Sequence, residues 1–143
     1  MGLPGSGKST IIEEKYSSSD WLGVHDFLDG AVLCHGQFVY SQHYPRIVQE
    51  IVFGTRNIIV ADIMFCNKAF YYDGKKIVDW WIGKFNADVI VKTLCFENQP
   101  DRCRRNVGID NEKLKKIDEL APHYSVFDGA EVLPVWSAEP NSK

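Results

Sequence analysis

Apolar positions change their spacing along this chain, marking out helices and strands in alternation. A first helix is expected from about Gly7 to Tyr16, ending in the polar run Ser17-Ser18-Ser19-Asp20. The run Trp21-Leu22-Gly23-Val24-His25-Asp26-Phe27-Leu28 reads as a short strand and its exit. Asp29 to Gln42 is mixed; with Phe38 and Tyr40 it suits a substrate-side loop with a short helix. Pro45 fits the first turn of a helix, Ile47, Val48, Ile51 and Val52 follow helical spacing, and Gly54 supplies a stop. Asn57 to Phe65 is the clearest strand, because a continuous apolar run suits a strand covered on both faces.

Asp73-Gly74 is expected to interrupt the chain before a helix from about Lys75 to Phe85, on which Ile77, Trp80, Trp81 and Phe85 recur. The paired tryptophans read as core packing rather than as a base-stacking platform. Ala87 to Phe96 reads as another buried strand. Asn98 or Gln99 caps a helix with Pro100 in its first turn, which Val107-Gly108 breaks. Asp110 caps a further helix whose Leu114, Ile117, Leu120 and Ala121 share a face, and Pro122 ends it. A last strand, Glu131 to Trp136, contains Pro134 and so belongs at an edge. This alternation over residues 1–143 predicts one α/β domain with a mostly parallel sheet.

Composition adds limits. An apolar fraction of 45% and a charged fraction of 24% are ordinary for a globular protein. A net charge of −3 gives no broad attraction to nucleic acid or membrane. No apolar run approaches the roughly 20 residues of a membrane span, and no signal peptide is read at the start, so a cytoplasmic setting is expected. Cys34, Cys66, Cys95 and Cys103 lack Cys-x-x-Cys spacing and read as buried, reduced thiols.

The most informative stretch is Gly2-Leu3-Pro4-Gly5-Ser6-Gly7-Lys8-Ser9, followed by Thr10. It fits the pattern Gly, any four residues, Gly, Lys, Ser/Thr. Gly2, Gly5 and Gly7 allow backbone conformations that turn successive N–H groups inward around a polyphosphate. The helix opening near Lys8 adds its positive end to the same spot. The stretch looks like a Walker A motif, and the chain resembles the P-loop NTPases. In length and layout it is similar to the small P-loop kinases: nucleotide and nucleoside kinases, adenylylsulfate kinase, zeta toxins and phage polynucleotide kinases.

The resemblance implies a three-layer α/β fold and a site for ATP and Mg²⁺ built from Gly2 to Thr10, including Leu3, Pro4, Ser6 and Thr10. Lys8 would reach the β- and γ-phosphates and Ser9 would hold Mg²⁺. Asp62 follows an apolar strand run, as the family's metal-side aspartate does; the other reading is a structural aspartate at a strand exit. Asp26 stands where related kinases carry a carboxylate that receives the acceptor's proton; the other reading is a solvated turn residue. His25 reads as a packing or surface histidine. Arg102, Arg104 and Arg105 stand where the family's mobile lid carries arginines, with Arg102 or Arg105 preferred over Arg104; the other reading is a solvated charge run.

The expected reaction is transfer of the γ-phosphate of Mg-ATP to a hydroxyl or phosphate of a small molecule or nucleotide, with a polynucleotide acceptor less favoured. Two alternatives are an ATPase or switch module and a truncated, inactive remnant. The last arises because the family places a buried strand before its loop, whereas only Met1 precedes Gly2. The expectation is therefore a fold whose N-terminal strand is missing, Met1 being its last apolar residue.

Overall fold

The computed structural model describes residues 1–28, 32–34, 37–40 and 43–137. The chain is mixed α/β, as its spacing predicts, and its parallel strands form two separate pairs. In the first pair, β1 (Trp21–His25) lies parallel to β4 (Asn57–Ala61), in register from Trp21 opposite Asn57 to His25 opposite Ala61. In the second, β5 (Leu94–Phe96) lies parallel to β6 (Glu131–Leu133). A short antiparallel hairpin joins β2 (Val32–Cys34) to β3 (Gln37–Tyr40). The rest of segment 29–42, and the side chains of Phe38, Tyr40 and Cys34, lie outside the described residues.

Five α-helices are described: α1 (Lys8–Lys15), α2 (Tyr44–Phe53), α3 (Lys68–Lys84), α4 (Pro100–Val107) and α5 (Asn111–Leu120). Local chemistry sets their ends. Pro45 sits in the first turn of α2, where a missing N–H costs nothing, and the Gly54 amide closes the last turn on Glu50 at 2.9 Å. Asn67 caps α3 by accepting from the Ala69 amide at 3.0 Å, and Asp110 caps α5 by accepting from the Lys113 amide at 3.1 Å.

Four expected boundaries are corrected. The helix read from Lys75 begins at Lys68 and runs through Asp73-Gly74. A Cβ at Gly74 would come within 3.1 Å of the Phe65 ring, so this glycine permits close packing instead of breaking the helix. The strand read to Phe65 stops at Ala61, and Ile63–Cys66 winds into a 3₁₀ turn. Of the strand read over Ala87–Phe96, only Leu94–Phe96 is paired; Val89, Ile90 and Val91 are exposed. Likewise β6 ends before Pro134.

Two apolar clusters hold the elements together. One gathers Leu22, Val24, Phe27, Ile47, Phe65 and Trp81 around β1 and β4. The other gathers Leu3, Cys66, Cys103, Ile117, Tyr124 and Val135 around the glycine-rich loop, α4 and α5. Each fully buried side chain of this size contributes about 1.5–3 kcal/mol. Met1 packs against both clusters. It also extends the second ladder: its amino group donates to the Leu94 carbonyl, and its carbonyl accepts from the Phe96 amide at 2.9 Å.

Candidate functional site

The in-register pairing of β1 with β4 brings His25-Asp26 and Ala61-Asp62 to the same end of the strands. The start of α1 faces them across a cavity of about 810 Å³, within the range typical of small-molecule sites. Pro4, Gly5, Gly7, Lys8, Ser9 and Thr10 line one side of it. His25, Asp26 and Asp62 line it from the strand ends, and Asn106, Val107 and α5 close it from a third direction.

The loop from Gly2 to Gly7 is shaped by its glycines. Gly5 and Gly7 have φ of +75° and +104°, where an L side chain is strained. They also bring neighbours close: a Cβ at Gly5 would lie 2.6 Å from the Cys103 carbonyl, and one at Gly7 would lie 2.5 Å from the Trp136 Cβ. Leu3 and Ser6 are buried, and the Ser6 amide closes a turn on the Leu3 carbonyl at 3.1 Å. At α1, no side chain caps the first turn and no acidic residue stands in it. Its leading N–H groups lack intrahelical partners by the geometry of any helix, so this cavity wall attracts anions.

Lys8 folds back on that loop, donating to the carbonyls of Gly2 at 2.5 Å and Leu3 at 2.9 Å. Burial lowers the pKa of its ammonium; Cys66, Cys103 and Asp62 partly oppose this. Ser9 is exposed and Thr10 half-buried on the same wall.

The two candidate carboxylates differ. Asp26 is exposed and holds φ at +51°, a left-handed conformation uncommon outside glycine. Asp62 is 4% exposed. One of its oxygens accepts from the Leu28 amide and the other from the Met64 amide, each at 2.7 Å. Asp62 therefore fastens the exit of β1, which carries Asp26, to the exit of β4. Its geometry favours the structural reading more than its sequence setting does. His25 is exposed and lines the cavity, so it is a surface histidine.

The arginines are elsewhere. Arg102 and Arg105 do not line the cavity, although Asn106 and Val107, the next residues of α4, do. Arg104 is held by Asp118 and Asp101. The cavity's cations come instead from α5, through Lys113, Lys115 and Lys116. Lys113 pairs with Asp110 at 3.1 Å and Lys116 with Glu119 at 3.2 Å, both near the surface. Such exposed pairs contribute about 0–1 kcal/mol and release their lysines readily. Sequence reasoning missed these lysines, though a signal was present: Glu112, Lys115 and Glu119 fall opposite the apolar stripe of Ile117, with Lys113 and Lys116 along its flank.

Asn106 and Trp136 were missed as well. The Asn106 side-chain amide donates to the Gly5 carbonyl at 2.8 Å and to the Trp136 carbonyl at 2.7 Å. The Trp136 amide donates to the Ser6 carbonyl at 2.9 Å. The glycine-rich loop is thus braced by α4 and by the segment after β6.

Among the described residues, no cluster of three or more His, Cys, Asp and Glu side chains could hold a metal by itself. Cys66, Cys95 and Cys103 are free and buried. No described helix is long and apolar enough to cross a membrane.

No known family model matches the chain, and no solved structure does. A curated viral protein does: uncharacterized protein R277 of Acanthamoeba polyphaga mimivirus is 32% identical over 126 residues, covering 87% of this chain and 80% of that protein. The chain belongs to the same family as this mimivirus protein.

Proposed function

We propose that the chain is a small P-loop kinase that transfers the γ-phosphate of Mg-ATP to a hydroxyl or phosphate group of a small molecule or nucleotide. One observation carries this reading: an uncapped helix start bearing Lys8, Ser9 and Thr10 shares a single cavity with Asp26 and Asp62 from two parallel strand ends. In this reading the two strand pairs are halves of one parallel sheet, flanked by helices in the three-layer P-loop manner.

The residues suit the ligands. The first-turn amides of α1 and the Lys8 ammonium, released from Gly2 and Leu3, would neutralise phosphate oxygens. The exposed Ser9 hydroxyl offers an oxygen ligand of the kind Mg²⁺ takes, with phosphates and water supplying the others. Asp62, committed to two amides, would orient the site without giving up those bonds. Asp26 would accept the acceptor's proton as its oxygen attacks the γ-phosphorus and the bond to the β-phosphate oxygen breaks, releasing ADP. Lys113, Lys115 and Lys116, in place of Arg102 and Arg105, would carry positive charge to the migrating phosphoryl group.

Label from γ-³²P-ATP tests this against a panel of nucleosides, nucleoside monophosphates and small hydroxyl compounds. Transfer to an acceptor is expected, and Lys8→Ala should lower it by about 10²–10³, the effect of losing one preorganised charge-stabilising donor. Unchanged transfer in Lys8→Ala would mean that the loop is not the active site. Failure of the unaltered chain to bind Mg-ATP would end the kinase reading.

A further inference from the structure

Trp136 is an aromatic residue that stands partly exposed beside the glycine-rich loop. Its neighbour Val135 is 3% exposed in the core, whereas Trp136 is 42% exposed and lines the cavity beside the glycine-rich loop. Its position is fixed. The backbone on either side is tied to the loop through Ser6 and, by way of Asn106, through Gly5. Gly7 is in contact with the root of the indole: a Cβ there would lie 2.5 Å from the Trp136 Cβ and 3.4 Å from Cγ. A large flat π-surface is therefore anchored by its backbone and root at one edge of the anion-attracting wall formed by Lys8, Ser9 and Thr10.

We infer that Trp136 is the platform on which the nucleobase of a purine nucleoside triphosphate stacks, its phosphates running from there to Lys8. This rests on the phosphate-loop reading above and adds the base site to it. Stacking on a braced indole holds a base by its face, which all bases possess. The Asn106 amide group also lines the cavity, but its two hydrogens are already used on Gly5 and Trp136. The platform should therefore favour the larger purine ring over a pyrimidine and distinguish adenine from guanine poorly.

The test is calorimetric titration of the unaltered chain, Trp136→Ala and Trp136→Phe with Mg-ATP, Mg-GTP and Mg-tripolyphosphate. Tripolyphosphate has the charges of the nucleotide and no base. Trp136→Ala should weaken ATP and GTP by on the order of 10- to 100-fold, the range measured when a stacking aromatic is truncated. Tripolyphosphate should bind as before, and Trp136→Phe should keep most of the ATP affinity. Equal loss of ATP and tripolyphosphate in Trp136→Ala overturns the inference, since the residue would then act only by shaping the loop. So does undiminished ATP binding in that variant. An unaltered chain that binds tripolyphosphate but gains nothing from the base also refutes the platform while leaving the loop intact. Binding of neither ligand overturns the phosphate-loop reading and this one with it.

Discussion

The Phe96 amide donates to the Met1 carbonyl at 2.9 Å, so the residue before the glycine-rich loop is already hydrogen-bonded to β5. Its amino group is buried against Leu94, and desolvation lowers that group's pKa. The segment before β5 carries Val89, Ile90 and Val91 exposed. Fusing four to six apolar residues ahead of Met1 would exchange a buried ammonium for a neutral peptide amide and lay a strand beside that segment. The engineered chain should unfold at higher urea concentration with a steeper denaturant slope, because more surface is buried. An unchanged midpoint and slope would show that the added residues find no place in the sheet.

Lys8 makes the site pH-dependent. Its pKa is lowered chiefly by burial, so between the folded value and the higher unfolded one the native chain binds fewer protons than the unfolded chain. Stability therefore rises with pH across that interval, and Lys8→Met should remove the rise. A bound polyphosphate acts in the opposite sense by favouring the ammonium. Tripolyphosphate should bind with proton uptake, and weaken as pH climbs through the depressed pKa, before the ordinary lysine range. The Cys66 thiol beside it, pushed up to about 11 by burial, stays neutral over most of this range. Calorimetry in buffers of different ionisation enthalpy measures the uptake; none would mean that Lys8 is not the phosphate partner.

Asp62 joins two chain segments that are otherwise separate in sequence. Asp62→Asn removes one acceptor and turns an amide group towards the Leu28 or Met64 N–H. The loss should be about 1.5–3 kcal/mol, the worth of a hydrogen bond to a charged group. Urea unfolding reads it directly. Were Asp62 only a metal ligand, stability without metal would not fall.

The adjacent tryptophans of α3 should part company. Trp81 is 2% exposed and belongs to the cluster around β1 and β4, so Trp81→Ala should cost about 3–5 kcal/mol. Trp80 is 58% exposed and meets the Lys84 ammonium at 4.8 Å. Losing that surface cation–π contact should cost about 0.5–1 kcal/mol. Thermal unfolding of both variants compares them, and equal losses would contradict the burial pattern.

What could be read from the sequence was local, and what could not depended on neighbours. The strained turns at Gly5 and Gly7 and the helix start at Lys8 are encoded within a few residues of one another. The stop at Gly54 and the cap at Asp110 were legible for the same reason. Gly74 misled because a glycine after an aspartate has the composition of a turn; only the Phe65 ring packed against it reveals a helix interior. Val89 to Val91 misled because apolarity signals a wish for burial and says nothing about whether a covering strand exists. Arg102 and Arg105 were favoured by charge type and order along the chain, yet α4 turns Asn106 and Val107 to the cavity. One aspect of the paired tryptophans was foreseen, since Trp81 is core; Trp80 is not.

Asn106 has a consequence for when this protein becomes competent. Its single amide group links Gly5, at the start of the chain, to Trp136, near residue 143. The glycine-rich loop is therefore not a local element that could mature while the rest of the chain is still being made. Its closing contacts span almost the whole sequence, and contacts of such separation form late because the entropy of closing so long a loop must be met first. During synthesis, the loop leaves the ribosome ahead of the segments that brace it, the first of which, at Asn106, lies 101 residues after Gly5. In a nascent chain the loop thus lacks these contacts, and its support is completed late in folding.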